Sequence, residues 1–300
     1  MSKAYVTLEG QEVLQLGKIV SATIVKDRYT PYSQLRGRVI IDGKVELGAV
    51  KRVGFYIGGK RVHYGLADLL SVRVCGGQSV LNIVSRGITI LLGQNQPEPG
   101  IWSQVSLTEI MGKYSPTSEI AFEADTQKVN YVNINEGSTL WEAIGVYGTK
   151  AYGARAYIGE GDKVCVSASE KLVLFEGRVI DYGSQLDTRL MLSKVHMKNV
   201  EGNYGYSYEN DEIKPFGIVR EKYYNLDRQW LNDVSVGLKD RIGFSNREHN
   251  VSWLTHVGYL GEDIDDLISA VGYDVDGKRV CRVEVNLDNR GIRTKIFVEN

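Results

Sequence analysis

Val283-Glu-Val-Asn-Leu-Asp-Asn-Arg-Gly-Ile-Arg-Thr-Lys-Ile-Phe-Val-Glu299 carries the clearest structural signal in the chain. Val283, Val285 and Leu287 alternate with Glu284 and Asn286, residues 288–291 supply turn formers, and Ile292, Thr294, Ile296 and Val298 alternate with Arg293, Lys295 and Glu299. A period of two on both sides of a turn specifies an antiparallel hairpin with one buried face. The same texture fills the first third of the sequence. Short β-type runs at residues 19–25, 38–41, 52–57, 72–75, 80–84 and 88–92 are separated by turn signals, among them Gly58-Gly59 and Asp42-Gly43, which fit two-residue hairpin turns. Strands at this spacing predict a closed or nearly closed barrel. The polar loop at residues 27–36 is expected to be solvated or to serve as a contact arm.

Residues 94–100, with Pro97 and Pro99, read as a linker. Beyond it, Ser106-Leu-Thr-Glu109 and Thr139-Leu-Trp-Glu142 are capping boxes, in which the hydroxyl oxygen accepts a first-turn N–H and the glutamate accepts from the cap residue's N–H. They predict helices running to about residue 114 and to Gly148. A strand at 129–134, and strands at 151–158 and 163–167 joined by Gly159-Glu-Gly-Asp162, complete a small α+β module. Residues 172–175, 178–182 and 188–196 return to strand character, with turn residues at 181–184, and are expected to open a second barrel. After a loop around Tyr204, Tyr206 and Tyr208, the four-residue spacing of Leu226, Trp230, Val234, Leu238 and Ile242 predicts a helix, and Ile264, Leu267, Ile268 and Val271 predict another. The closing hairpin then completes the sheet opened near Leu172.

The fold class is therefore mainly β with an α+β insertion: two tandem β-barrel, tube-like domains, the second interrupted by helices. The expected domains are 1–98 (first barrel), 99–168 (α+β insert) and 169–300 (second barrel, interrupted at about 216–272). No repeat of fixed short period is present.

Composition bounds the function. The 300 residues include 18 tyrosines and 33 glycines but five prolines, a balance that favours strands and tight turns. Lys and Arg number 36 against 37 Asp and Glu, so there is no global field for specific nucleic-acid binding or for an anionic membrane. No run of about 18 apolar residues could span a bilayer and the opening MSKAYVTLEGQE has no signal-peptide core, so the expectation is a soluble chain starting at Met1, without membrane insertion. Cys75, Cys165 and Cys281 have no metal-binding spacing and read as buried reduced thiols, which fits synthesis in a reducing cytoplasm.

Chemistry finds little foothold. His63, His196, His249 and His256 form no HExxH or paired-ligand spacing, although the last two are close enough in sequence to meet. There is no nucleophile elbow or Walker loop, and Gly159-Glu-Gly-Asp162 lacks the third glycine of a dinucleotide fingerprint. Asp274-Val-Asp276-Gly277 resembles the start of a calcium loop but is followed by Lys278 and Arg279, so a turn is expected. Glu262, Asp263, Asp265 and Asp266 are expected at a helix N-terminus, where the dipole favours carboxylates over catalytic use. Asn250-Val-Ser252 is a chance glycosylation match, and Trp141, Trp230 and Trp253 read as core or interface anchors. No residue is assigned as catalytic, cofactor-binding or metal-binding, and no cofactor is expected.

Two stretches carry a family resemblance. Ser79-Val-Leu-Asn-Ile-Val-Ser-Arg86-Gly87-Ile-Thr-Ile-Leu-Leu92 precedes the linker and the helix capped by Ser106, and Val132-Asn-Ile-Asn-Glu136-Gly137-Ser-Thr139-Leu-Trp-Glu-Ala-Ile144 follows a strand. Ser85-Arg86 and Glu136-Gly137-Ser138, in this order of elements, resemble the phage tail hub or baseplate hub family, including late control gene D-like proteins of contractile tails, prophages and tail-like bacteriocins. The resemblance implies a non-enzymatic virion structural protein, a homotrimer whose barrels form a pseudo-hexameric ring adapting a six-fold tail tube to a three-fold spike. Tail tube, spike or tip, baseplate wedge and tape measure proteins would be its partners, and a baseplate assembled in the bacterial cytoplasm its location. The alternatives are a peptidoglycan hydrolase or a carbohydrate-binding component of the same particle.

Overall fold

The computed structural model describes residues 2–8, 13–42, 45–175 and 178–299, without the side chain of Cys75. Gly43 of the expected Asp42-Gly43 turn lies outside the described residues, as does Met1.

The first third is antiparallel β: β1 (Ser2–Leu8), β2 (Val13–Gln15), β3 (Ile19–Asp27), β4 (Gln34–Ile41), β5 (Val50–Ile57), β6 (Lys60–Cys75) and β7 (Gln78–Gly87). Gly58 and Gly59 turn β5 into β6 with φ of 59° and 85°, values that an L side chain resists and a type I′ hairpin needs. Along β4, Leu35, Val39 and Ile41 are buried on one face while Gln34, Arg36 and Arg38 stay exposed, which is the period-two pattern made physical. Gly65 lies where β6 presses on β7; a Cβ there would stand 1.9 Å from the Arg86 carbonyl oxygen.

Residues 88–92, expected as a strand, instead lead into helix α1 (Ile90–Gln94). β7 ends where Gly87 donates its N–H to the Ser33 carbonyl at 2.7 Å, and the buried Ile88 and Leu92, four apart, then point together into the core of the next layer. That layer holds β8 (Gly100–Val105), α2 (Leu107–Tyr114), β9 (Val129–Ile134), α3 (Leu140–Tyr152), β10 (Tyr157–Gly159) and β11 (Lys163–Cys165). Both capping boxes form as read, on Ser106 with Glu109 and on Thr139 with Glu142. Strand β8, which pairs with β9, is absent from the sequence reading, since Gly100-Ile-Trp-Ser-Gln-Val105 has no period-two alternation. Gly148 does not end α3. The helix runs on to a left-handed Gly153 cap, and Gly148 serves close packing, a Cβ there lying 2.8 Å from the Ala154 carbonyl oxygen.

The remainder comprises β12 (Leu172–Leu174), β13 (Val179–Leu186), β14 (Lys194–Met197), β15 (Tyr206–Glu209), β16 (Glu221–Tyr224), α4 (Val234–Asn246), β17 (Asn250–Val257), β18 (Leu267–Ser269), β19 (Val280–Asp288) and β20 (Gly291–Glu299). The hairpin of β19 and β20 turns at residues 288–291, as its alternation specifies. Four readings are corrected. Residues 181–184 run through β13 as strand, with Gly183 accommodating the Trp253 ring, which would stand 2.6 Å from a Cβ. Residues 188–196 contribute only β14, which joins β15 and β16 in a separate three-stranded sheet. The helix on Leu226 to Ile242 begins only at Val234, because Trp230 closes a 3-10 turn capped by Asp227 and folds back over Gly237. Ile264 to Val271 is not helical: β18 pairs in parallel with β12, and of its residues Ile268 is buried in the sheet core.

The central finding is the sheet order β13-β17-β20-β19-β3-β4-β7-β6-β5-β1-β2, eleven strands in one antiparallel sheet. No closed barrel ladder is present among the described residues, and two separate barrels are not what the pairing gives. The reason is β3, which bonds to β4 on one side and β19 on the other, so the closing hairpin continues the first lobe instead of sealing a second one. One core correspondingly runs through both halves, from Val6, Leu35 and Leu81 to Leu254, Val283 and Ile296. The first lobe curls strongly: between β2 and β3, the Leu16 N–H donates to the Ala4 carbonyl at 2.9 Å, and the Lys18 carbonyl accepts from Ile40 at 2.8 Å.

Candidate assembly surface

The joint between the lobes is held by charge. Glu262, Asp263, Asp265 and Asp266, expected at a helix start, sit buried in the loop before β18, and each meets a cation or imidazole. Lys26 Nζ lies 2.6 Å from Asp263, Lys171 2.8 Å from Asp266, and His256 2.7 Å from Glu262, while Asp265 takes Arg28 and, at 3.3 Å, Arg279. Burial works against the charge on Lys26, but Asp263 and Asp162 beside it more than offset that, and its pKa is raised. Lys26 and Arg28 leave the end of β3 and their partners come from over 230 residues later, so no local pattern could have announced the contact.

A second polar cluster lies beneath it. His63, fully buried, is held between the Ser33 and Ser85 hydroxyls at 2.8 Å each, and burial with nearby Lys26 lowers its pKa to about 3, so the ring is neutral. Ser33 also donates to Asp162, whose other oxygen accepts the Tyr64 N–H. The loop expected as a contact arm is folded inward: Tyr29 donates to Glu299 at 2.7 Å, and Arg28 to Asp265. His249 and His256, close enough in sequence to meet, are kept apart by β17, the first preceding the strand and the second lying near its far end, and His196 pairs with Glu221. Among the described residues no group of three or more His, Cys, Asp or Glu is placed to hold a metal ion. Cys165 and Cys281 are buried, and burial raises the Cys165 thiol to about 11. Asp274 to Gly277 forms a turn, with Asp276 accepting the Ala270 N–H.

Trp141 and Trp230 share a cleft of about 250 Å³ with Phe244, Arg155 and Asp240, whereas Trp253 lies apart on β17; the tryptophans form no common platform. Lys150 has its pKa lowered to about 8 by burial, and its ammonium sits 3.6 Å over the Tyr131 ring.

What the surface offers outward is strand edge. β13 bonds only to β17, and Ile180, Tyr182 and Leu186 are all at least half exposed, at 50%, 64% and 54%. The ladder of β5 on β6 stops at Leu66, so the outer side of residues 67–75 has no strand neighbour among the described residues, and Leu69, Val72 and Val74 are exposed there. Monomeric proteins usually blunt such edges, and long apolar ones are templates for pairing with another chain. The sequence marks part of each run as strand, residues 72–75 and 178–182, but cannot show that either lacks a neighbour.

No protein-family model and no curated protein matches this sequence. Solved structures do. A prophage MuSo2 43 kDa tail protein from Shewanella oneidensis superposes with a TM-score of 0.73 at 15% identity over 99% of this chain and 98% of its own. A tail protein from Neisseria meningitidis gives 0.73 at 13% identity over 100% and 96%, and prophage tail protein gp18 from Listeria monocytogenes gives 0.57 at 12% over 98% and 94%. From end to end, this chain has the fold of phage tail proteins.

Proposed function

We propose that this protein is a structural tail hub or baseplate component of a phage or phage-tail-like injection particle, which adapts a six-fold tail tube to a three-fold spike or tip. The observation that carries the reading is the open, curled eleven-stranded sheet with apolar edges at β13 and at residues 67–75, on a fold that follows phage tail proteins over its whole length. In this reading residues 1–98 and 169–300 supply two tube-like lobes of one continuous sheet per chain, and residues 99–168 an α+β module. Three chains then make a pseudo-hexameric ring. Its neighbours are the tail tube, spike, wedge and tape measure proteins, in a baseplate assembled in the cytoplasm. No catalytic residue is assigned. Glu262, Asp263, Asp265 and Asp266, the acids a wall hydrolase could have recruited, are each paired with a cation or imidazole, Asp263 and Asp265 with Lys26 and Arg28 of the other lobe. Antibody labelling of particles tests the assignment: label at one end of the tail supports it, and label along the sheath, on the head or on no particle contradicts it.

A further inference from the structure

We infer that the edge of β6 at residues 69–75 receives the edge of β13 from a second copy of this chain, antiparallel, in the register that sets Tyr182 opposite Val72 and Asp181 opposite Arg73. The inference rests on the ring reading above and names the surface that would close the ring.

Four observations converge on this pairing. Both edges are open and of similar length, seven residues at 69–75 and at 180–186. Both expose apolar side chains, Tyr182 at 64% and Val74 at 69%, which makes each open edge a template for pairing with another chain. Face parity then restricts the register. On β13, Tyr182 stands opposite Leu254, and on β6, Val72 stands opposite Leu81; both neighbours are fully buried in the same core, so Tyr182 and Val72 each lie on the core-facing side. A one-residue slip would put an apolar side chain against the outer face of its partner, so only every second register is allowed. Among those, charge selects one: exposed Arg73 on the outer face of β6 falls opposite exposed Asp181 on the outer face of β13. In that register Ile180 falls beside Val74, Ser184 beside Leu70, and Leu186 diagonal to Leu70, so the apolar inner face runs unbroken across the joint. An antiparallel joint also continues the antiparallel pairing of the whole sheet.

The two surfaces differ, so the contact is head-to-tail. Each copy offers one of each, and such a contact builds a ring when its rotation closes.

Paired cysteines test this on the full chain. In a Cys75→Ser background, Val72→Cys combined with Tyr182→Cys should form an intermolecular disulfide under mild oxidation, because directly opposed residues place their Cβ atoms within bridging distance. Leu69→Cys with Tyr182→Cys, on opposite faces, should not. Arg73→Asp and Asp181→Arg should each weaken association several-fold, and the two together should restore it. A trimer by sedimentation whose cross-linked subunits run as a three-chain species supports the inference. A trimer that fails to link at 72 and 182, or links as readily at 69, overturns the edge pairing while leaving the ring reading intact. A chain that stays monomeric at the highest attainable concentration, with no linked species, overturns the ring reading beneath it.

Discussion

Replacing Asp263 with asparagine removes one charge from the joint between the lobes and keeps its volume. Lys26 and Asp263 are 7% and 2% exposed and their charged atoms stand 2.6 Å apart. At an effective dielectric constant of about 20 that separation corresponds to roughly 6 kcal/mol of attraction. Most of it is offset by the desolvation of both ions, so the pair as a whole adds little net stability. Removing one partner is different, because the surviving ammonium stays buried without its counter-charge, a loss of about 3–5 kcal/mol. Asp162 still attracts Lys26, which places the expected loss at the lower end, about 3 kcal/mol. Urea unfolding followed by tryptophan fluorescence and circular dichroism would read this as a lower midpoint at unchanged slope. The double variant Lys26→Met with Asp263→Leu should recover most of the loss, since two apolar groups replace the pair. A loss below about 1 kcal/mol in Asp263→Asn, or no recovery in the double variant, would refute the clasp.

Ser106→Ala and Thr139→Ala should each lower stability by about 1 kcal/mol, read from thermal melts, by removing a helix cap. Gly65→Ala forces a Cβ onto the Arg86 carbonyl and should lower stability by more than the cap variants, by a few kcal/mol, in the same melts. His63 has a folded pKa of about 3 against an ordinary 6.5, so the unfolded chain binds its proton first and stability should fall as pH drops from about 6.5 towards 3, by up to ~1.4 kcal/mol per unit. Urea midpoints across that range should show a shallower slope in His63→Gln. Zymography of the purified protein should show no peptidoglycan lysis; reproducible lysis abolished by changing one carboxylate would return the hydrolase reading.

Local physics was legible wherever it was short-range. The capping boxes on Ser106 and Thr139, the Gly58-Gly59 turn and the alternation of the last hairpin each specify their own geometry within a few residues. Failures occurred where distant partners decide. Nothing near Val283 says that its strand will pair with β3 and merge two expected barrels into one sheet. The acidic run at Glu262 to Asp266 looked like a helix start because its cations, Lys26, Arg28 and Lys171, are remote in sequence. Apolar residues at helical spacing also mislead when a short buried strand carries them, as at Leu267 to Ser269. The open edges were invisible for a related reason: a strand's sequence gives its two faces, not its neighbours.

A reconstruction of the intact particle tests the central claim most directly, by copy number and position together. The account predicts three copies around the tail axis at the junction of tube and spike, with both sheet lobes lining one channel and residues 69–75 of each copy against β13 of the next. A peripheral position, or six copies in the ring, would contradict it.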